Sequence, residues 1–441
     1  MASGARGTRS RIELGSSRDD ACSGKFCATL MQETGSAFGE HMSFSDGTNS
    51  RLQAAGTLKQ VRKPRICMPS GRNFKKKTFL CGHYEAQDVL REVDDVDLVC
   101  LEAERHYEFK ESWQRRLLYR DVSRRLIFQS PGLRKVQLTK EYDLFVARCQ
   151  THHEFLQIYA IQGWKDHCKT SVCWIDEMWT AEIPQYKYWI HALKQFDHVF
   201  VGCKGTVDAL AKAIGKPVHW LSGGVDTLRF SPYPNPPSRV VDVYSIGRRY
   251  EGIHRSLLRM AEEGSIFYLH DTFGASLSDV YDYKEHRNLF SNVAKRSRYF
   301  VVAPGKVDLS NETGGQVEIG HRYYEGAAAG AVMIGQAPSG GPFAEMFSWP
   351  DAVVQVQPDG SDVIEVVEAL EASPERALAI SQRNAAEALM RHDWAYRWKQ
   401  ILLAAGLEPL PAMETREQRL KELAAIALSS AESKNVAGLV R

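Results

Sequence analysis

From Arg65 onward, short apolar runs alternate with stretches of helical periodicity, and this alternation constrains the fold more than any other feature. The runs RICMPS, VDLVCLE, YDLFVARC, SVCWID and HVFVGC predict buried strands. Between them, the segments HEFLQIYAIQGW, YKYWIHALKQF and KGTVDALAKAIG predict helices. Because strands that alternate with helices form parallel sheets covered on both faces, the pattern predicts an α/β, doubly wound architecture.

A proline-rich segment interrupts the alternation between Arg229 and Arg239. Its four prolines exclude a continuing helix or central strand, so the segment is the best candidate for a domain boundary. After it the alternation resumes, with predicted strands in VVDVYSIG, IFYLHD, YFVVAP, AVMIG and AVVQV. The sequence therefore predicts two Rossmann-like domains that face each other across a cleft, where a ligand would bind beyond the carboxyl ends of the strands.

The predicted organisation also includes two terminal parts. Residues 1–61 are rich in glycine, serine and charge, and we expect them to be disordered. In the C-terminal tail, Trp394, Trp398, Ile401 and Leu402 recur at helical spacing, which predicts a helix packed against the body of the protein. The predicted limits of the remaining parts are 62–231 for the N-terminal domain, 232–239 for the hinge, 240–388 for the C-terminal domain and 389–441 for the helical tail.

Composition excludes several classes of protein. The 56 Lys and Arg residues nearly balance the 54 Asp and Glu residues, so nothing indicates a nucleic-acid partner. The nine cysteines lack metal-ligand spacing, which predicts reduced thiols and no metal site. The chain shows neither a signal peptide nor an apolar segment long enough to span a membrane. We therefore expect a cytoplasmic protein. Contact with a membrane surface stays open because RRLLYRDVSRRLIF would form a helix with one basic face, although such a face is more often simply solvated.

The stretch VEIGHRYYEGAAAGAVMIG carries the most informative polar cluster. If the segment is helical throughout, Glu318, Arg322 and Glu325 share one face. They could form an ordinary surface ladder of ion pairs. However, small residues and a buried strand follow, which is typical of a closely packed helix. We therefore expect the polar face at the cleft, where the helix N-terminus favours an anion such as phosphate. Gly314 and Gly315, just upstream, would let the backbone approach that ligand.

Two further clusters follow predicted strands. Arg248 and Arg249 come directly after Gly247, at the end of a strand, where arginine can bind a diphosphate in a bidentate manner. They could equally be solvated loop residues. Asp176 and Glu177 end the strand in CWIDEMW between two tryptophans, an arrangement that suits sugar or alcohol recognition. These carboxylates could also cap a helix.

Several of these segments resemble one superfamily, the two-domain nucleotide-sugar glycosyltransferases. HVFVGCKGTVDALAKAIGKPVHWLSGGVDTLRFSP resembles the crossover that ends their N-terminal domain, and YSIGRRYEGIHRSLL resembles the start of their donor domain. GHRYYEGAAAGAVMIG resembles their signature helix, and HDWAYRWKQIL their closing helix. The nearest branch is the one with a spore-maturation-type C-terminal glycosyltransferase domain. The resemblance covers roughly residues 65–406 and is best over the C-terminal half.

The resemblance implies a GT-B fold and transfer of a sugar from a nucleotide-diphosphate sugar, with retention of configuration and without a catalytic metal or other cofactor. It implies that the N-terminal domain holds the acceptor, which could be a glycan, a lipid, a protein or a small molecule. It further implies that Arg248 contacts the donor diphosphate, that Glu325 contacts the donor ribose, and that Gly320 begins the signature helix. In retaining relatives seven residues separate the two signature glutamates, whereas six separate Glu318 from Glu325, and Val317 occupies the aligned position.

On this reading Glu318, Asp176 and Glu177 are the candidate catalytic residues. The candidate donor-binding residues are Gly247, Arg248, Arg249, Gly314, Gly315, Gly320, Arg322 and Glu325. A non-catalytic protein of the same fold that binds a sugar nucleotide or a glycan is the alternative, because fold alone does not establish turnover.

Overall fold

A computed structural model describes residues 64–120, 124–185, 187–272 and 279–438. The extension predicted over residues 1–61 lies outside the described residues. Residues 61–441 form one compact unit, and the described part of it contains two parallel sheets flanked by helices. We call residues 64–231, with the first sheet, the first half, and residues 240–391, with the second sheet, the second half. This is the predicted α/β GT-B architecture of two Rossmann-like doubly wound units.

The first sheet has the strand order β2-β1-β4-β6-β7-β8 and all its neighbouring strands run parallel. Its strands are β1 (Ile66–Ser70), β2 (Val96–Cys100), β4 (Tyr142–Cys149), β6 (Cys168–Ile175), β7 (His198–Val201) and β8 (His219–Trp220). A separate pair is formed by β3 (Val136–Gln137) and β5 (Ile161–Gln162). The α-helices of this half are α1 (Cys81–Val93), α2 (Tyr107–Tyr119), α3 (Phe155–Ile158), α4 (Trp164–His167), α5 (Lys187–Leu193), α6 (Val207–Ile214) and α7 (Thr227–Phe230).

The second sheet is also parallel and has the order β10-β9-β11-β12-β13. Its strands are β9 (Val241–Ser245), β10 (Tyr268–His270), β11 (Ser297–Val302), β12 (Val332–Gly335) and β13 (Val354–Gln355). The helices that follow the hinge are α8 (Glu251–Glu262), α9 (Tyr283–Lys295), α10 (Ser310–Thr313), α11 (His321–Ala328), α12 (Gly341–Met346), α13 (Val363–Glu371), α14 (Pro374–Arg391), α15 (Trp394–Ala404) and α16 (Pro411–Gly438). The next strand after β9, β10, lies on one side of β9, whereas the following strand, β11, lies on its other side. The ends of β9 and β11 therefore border the switch point where such sheets bind ligands.

The C-terminal tail returns to the first half. The face of α15 that carries Trp394, Trp398, Ile401 and Leu402 is buried in one cluster with the first sheet, which confirms the predicted packing of this helix. The tail, which follows the second half in sequence, thereby packs against the first half.

Two of the predicted helices are shorter in the structure than the sequence predicted. HEFLQIYAIQGW contains only the single turn α3, after which β5 pairs with β3 and Gly163 adopts a φ of +78°. Ile161 in β5 is fully buried, so this segment gains burial as a strand rather than as a helix. In RRLLYRDVSRRLIF, α2 ends at Tyr119 and a short 3₁₀ helix follows at residues 124–128. The continuous basic helix predicted there is therefore not formed, and residues 121–123 lie outside the described residues.

Candidate functional site

Helix α11 begins beside the carboxyl end of β11. Its N-cap is Gly320, where a Cβ atom would come within 2.8 Å of the carbonyl oxygen of Ala303. Glycine is required at this position because the backbone of the helix entry lies against the end of the strand. The helix starts only at His321, so Glu318 lies in the preceding loop and not on the helical face predicted for it. Arg322 and Glu325 do share a face and form an ion pair.

Glu318 spans the boundary between the two halves. Its carboxylate accepts hydrogen bonds from the backbone amides of Lys204 (3.0 Å) and Gly205 (2.8 Å), in the short helix that leads into α6. It also accepts one from the side-chain amide of Gln316, at 2.6 Å. Both of its oxygens are thus engaged, and the residue is buried. In this conformation Glu318 holds a loop of the second half against the first half.

Gly314 and Gly315 shape the same loop. Both adopt left-handed conformations, with φ of +61° and +81°, which glycine reaches without strain. They turn the chain so that the Gln316 side chain contacts Thr180 and Thr206 of the first half, accepting from the amide of Thr180 at 3.1 Å and donating to the Thr206 hydroxyl at 3.1 Å. The structure therefore places this glycine pair at the contact between the halves.

Glu325 belongs to a buried chain of charges. It accepts hydrogen bonds from Arg322 and, at 2.5 Å, from Arg287 of α9. Arg287 also donates to Glu85 of α1 at 2.7 and 3.0 Å, so it lies between two carboxylates. Burial raises the pKa of the Glu325 carboxyl, but the charges of Arg322 and Arg287 outweigh burial and lower it. The carboxylate is ionised and joined to the first half through Arg287 and Glu85.

Gly247, Arg248 and Arg249 form the turn after β9. The Gly247 amide donates to Asp271 at 2.9 Å, and its φ is +82°. Arg248 binds both oxygens of Asp308, at 2.6 and 2.7 Å, and Arg249 binds Asp271. The guanidinium groups of Arg248 and Arg249 remain partly exposed, so an incoming anion could exchange for these carboxylates.

Arg322 joins this turn to α11. Its Nε donates to the carbonyl of Ile246 at 3.0 Å, and its guanidinium group lies against Gly247. The turn that carries Arg248 and Arg249 therefore meets the first turn of α11 at the end of β9. Arginines on a strand-end turn that meets a helix N-terminus form a favourable place for a diphosphate.

Asp176 and Glu177 follow β6 in the first half but have different surroundings. The Asp176 side chain is 5% exposed; it forms an ion pair with Arg148 at 3.0 Å and a hydrogen bond with His83 at 3.3 Å. Burial raises its pKa, but the charge of Arg148 and the hydrogen bond with His83 outweigh burial and lower it. Glu177 is more accessible: it accepts from the Trp179 indole at 2.9 Å and pairs at 2.8 Å with Lys306 of the second half. Of these two carboxylates, Glu177 is better placed to meet a ligand.

Sequence reasoning missed two residues at this boundary. His321, the first residue of α11, is exposed, and it lies near Gly223 and close enough to Asp176 for their charges to interact. Lys306 adopts a φ of +49° just after β11, and it contacts Glu177 and Glu312. The sequence signals were weak: a histidine directly after the helix-starting glycine, and a Gly-Lys pair at the end of a predicted strand.

None of the predicted site residues lines a groove of about 1130 Å³. We call it the Phe79 groove. Segments after β1, β2 and β4 line it together with residues 279–281 of the second half. The lining includes the aromatic residues Phe74, Phe79, Tyr107 and Tyr281 and the charged residues Lys75 and Glu154. A smaller polar cavity of about 20 Å³ adjoins it through Glu154 and is lined by His83 and Arg148.

Over the described ranges, no group of three or more His, Cys, Asp and Glu side chains is arranged to hold a metal ion. None of the helices that the structure describes combines the length and the apolar character needed to cross a bilayer. Seven of the nine cysteines fall in the described part, and all seven are free thiols.

Comparison with known proteins gave one family match. A family model described as glycosyl transferase-like matches residues 273–403, from ahead of α9 to α15. No curated protein matches the sequence.

Several solved structures are similar to this chain in backbone structure, and three of them follow. HepE from Anabaena, in complex with UDP-glucose, is 11% identical, with 77% of this chain and 99% of that chain covered and a TM-score of 0.45. An α-glucosyltransferase in complex with UDP and a 13-mer DNA is 10% identical, with 78% and 99% covered and a TM-score of 0.47. MnaA from S. aureus, with UDP, is 10% identical, with 78% and 97% covered and a TM-score of 0.42.

Proposed function

We propose that the protein is a metal-independent, retaining glycosyltransferase that uses a nucleotide-diphosphate sugar. One observation carries this proposal: the turn after β9 that carries Arg248 and Arg249 meets the first turn of α11 through Arg322, at the switch point of the second sheet. Ligands of doubly wound sheets bind at this place, and a diphosphate suits its charge. The match of residues 273–403 to a glycosyl transferase-like family supports the same function.

In the proposed reaction the bond between the sugar carbon and the diphosphate breaks, and a bond forms from that carbon to an acceptor oxygen. The acceptor proton passes to a carboxylate or to water, and the nucleoside diphosphate leaves. Arg248 and Arg249 would release Asp308 and Asp271 and bind the departing phosphates, since fixed cations stabilise charge that develops in the transition state. Gly247 and Gly320 would allow the backbone to approach the donor.

The three candidate catalytic carboxylates would take different parts. Glu177 is accessible and paired with Lys306, so it would contact the acceptor or receive its proton. Asp176 would act through His83 and Arg148, which enclose it. Glu318 would hold the halves together over the donor through Lys204 and Gly205, while Gly314 and Gly315 let its loop reach the first half. Closure of this kind excludes water from a transferase site.

Glu325 would hold Arg322 in place at the donor site, and its own carboxylate would not be free to bind the donor. Its carboxylate is enclosed by Arg287 and Arg322, and the residue is 4% exposed. Contact with a ribose would require Arg322 to turn away. We therefore propose that Glu325 orients Arg322 toward the end of β9 and reaches a ribose only when the donor has displaced that contact.

Calorimetry with UDP, GDP and dTDP tests the donor site, and UDP is the natural first probe. We expect Arg248→Ala to weaken nucleoside-diphosphate binding by about tenfold to a hundredfold, since a hydrogen bond to a charged group is worth about 1.5–3 kcal/mol. The matched control is Arg255→Ala, on α8, whose side chain is 75% exposed and paired with Glu251. Absence of binding by all three nucleotides, or equal effects of the two substitutions, would show that the assignment is wrong.

A non-catalytic sugar-nucleotide or glycan-binding protein is the second candidate. One observation favours it: Glu318 is buried and the Asp176 side chain is 5% exposed, and both carboxylates are already held by protein groups. Slow hydrolysis of UDP-sugars in the absence of an acceptor would support the transferase. Tight nucleotide binding with neither hydrolysis nor transfer would support the binding protein.

A further inference from the structure

The Phe79 groove exposes aromatic surface that the fold itself does not use. Phe79 is 47% exposed and Tyr281 is 98% exposed, and both line the groove. Behind them Phe74 and Tyr107 pack edge to face, with ring centroids 4.9 Å apart. Exposed aromatic rings grouped in one concave surface are typical of a binding site rather than of an ordinary surface.

The charges in the groove are balanced in number, and two of the basic residues form ion pairs. The lining holds four basic residues, Lys75, Lys76, Lys77 and Arg115, and four acidic residues, Glu108, Glu111, Glu154 and Asp279. Lys75 lies 3.5 Å from Glu111, and Lys77 lies 2.8 Å from Asp279. A polyanion such as a nucleic acid, or an anionic lipid surface, is bound through an excess of positive charge, which this lining lacks. Paired charges do supply donors and acceptors for the hydroxyl groups of a neutral ligand.

Both halves of the protein build the groove. The backbone amide of Val280 donates to the carbonyl of Lys76 at 2.8 Å, and Lys77 and Asp279 form an antiparallel bridge. Nearby, the Tyr283 hydroxyl at the start of α9 donates to Asp88 of α1 at 2.6 Å. A ligand in the groove would therefore touch the first half and the second half together.

One end of the groove leads toward the candidate catalytic carboxylates. Glu154 lines both the groove and the small polar cavity, which is also lined by His83 and Arg148. These two residues contact Asp176 directly. The volume of about 1130 Å³ exceeds the upper end of the range of ordinary small-molecule pockets, about 300–1,000 Å³. The groove thus has room for an extended ligand, and its Glu154 end adjoins two residues that contact Asp176.

We propose that the Phe79 groove binds an uncharged oligosaccharide and that this glycan is the acceptor of the transferase, an inference that rests on the proposed function. Sugar rings present C–H faces that stack on aromatic rings, and Phe79 and Tyr281 offer such rings in the groove. Sugar hydroxyls match the fixed ion pairs formed by Lys75 and Lys77. A chain of several sugar units fills the groove, and its end lies at Glu154, beside the cavity lined by His83 and Arg148.

A glycan array that displays neutral and anionic oligosaccharides, probed with the labelled full-length protein, tests the ligand class. We expect binding to neutral oligosaccharides. Vesicles that contain phosphatidylglycerol serve as the lipid arm. Binding restricted to anionic glycans or to these vesicles, or no binding to any neutral glycan, would overturn the proposal.

Calorimetry with the best neutral oligosaccharide then tests the location of the site. We expect Phe79→Ala and Tyr281→Ala each to weaken binding by about fivefold to tenfold. The matched control is Phe267→Ala, an aromatic side chain that is 55% exposed and does not line the groove. Equal affinity in the groove variants and in the control would refute the location. Because UDP binding is measured separately and should survive Phe79→Ala, failure of the groove proposal is distinguishable from failure of the donor site.

Discussion

Removing Arg287 should be among the most damaging single changes to the stability of this protein. The residue is 3% exposed and donates three hydrogen bonds, of 2.7, 3.0 and 2.5 Å, to Glu85 and Glu325. In Arg287→Met the side-chain volume is largely kept, but two buried carboxylates lose their shared cation. Arg322 still pairs with Glu325, whereas the remaining cation near Glu85 is Arg229, at 3.9 Å.

The size of the effect follows from this geometry. Breaking a buried ion pair by removing one partner costs about 3–5 kcal/mol, because it leaves a buried charge without compensation. With a urea m-value of about 3 kcal/mol/M, the denaturation midpoint should fall by about 1–1.7 M. Urea denaturation followed by both tryptophan fluorescence and circular dichroism measures this shift and shows whether the two halves unfold together.

The loss should also depend on pH. In the wild type the pKa of Glu325 is lowered, so its contribution is present above the unfolded pKa and is lost as pH falls through the folded pKa. In Arg287→Met the Glu325 carboxylate keeps only Arg322, so less of this contribution is present above the unfolded pKa. The difference between the two proteins should therefore be greatest near pH 7 and shrink below about pH 4.

The matched control is Arg255→Met. Its partner Glu251 lies one helical turn away at 2.8 Å, and both side chains are largely exposed. Exposed pairs of this kind contribute about 0.2–1 kcal/mol, so the control should change the midpoint little. A loss below about 1 kcal/mol in Arg287→Met, or a loss that is the same at pH 7 and below about pH 4, would refute the reasoning.

Two further predictions concern the other buried ion pairs. Arg416 holds α16 through ion pairs with Asp226 (2.6 Å) and Asp393 (2.9 Å). Arg416→Met should therefore reduce the free energy of unfolding by about 3–5 kcal/mol and speed proteolytic cleavage near α16. Limited trypsin digestion measures the cleavage, and an unchanged digestion pattern would contradict the prediction. Asp176 has a lowered pKa because the charge of Arg148 outweighs burial, so its stabilising contribution is present above its unfolded pKa and is lost as pH falls through the folded pKa. The stability difference between the wild type and Asp176→Asn should therefore be greatest near pH 7 and shrink below about pH 4, and a difference that grows on acidification in urea titrations would contradict the assignment.

Local pattern was sufficient for most of the sheet architecture. The run RICMPS contains β1 (Ile66–Ser70), and the run YDLFVARC coincides with β4 (Tyr142–Cys149), because apolar runs of this length bury only as strands between helices. The same reasoning failed for HEFLQIYAIQGW, where apolar residues at near-helical spacing fold into a turn, a strand and a second turn. Pairing with β3, a segment of the chain more than twenty residues away, decided that outcome.

At the candidate site, the sequence by itself determined which residues lie at the strand ends and at the helix starts. Arginines follow the glycine at the end of β9, and a glycine, a histidine and an arginine open α11, because strand ends and helix starts are set by neighbouring residues. Only the tertiary structure decided what each charge contacts. Glu318 lies 114 residues from Lys204, and Arg287 lies 202 residues from Glu85. The free energy of a charge depends on its burial and on partners within a few ångströms, and a periodic pattern in sequence contains neither quantity. The Phe79 groove exists for the same reason: separate strand ends and a loop of the second half form it only when the two sheets are folded together.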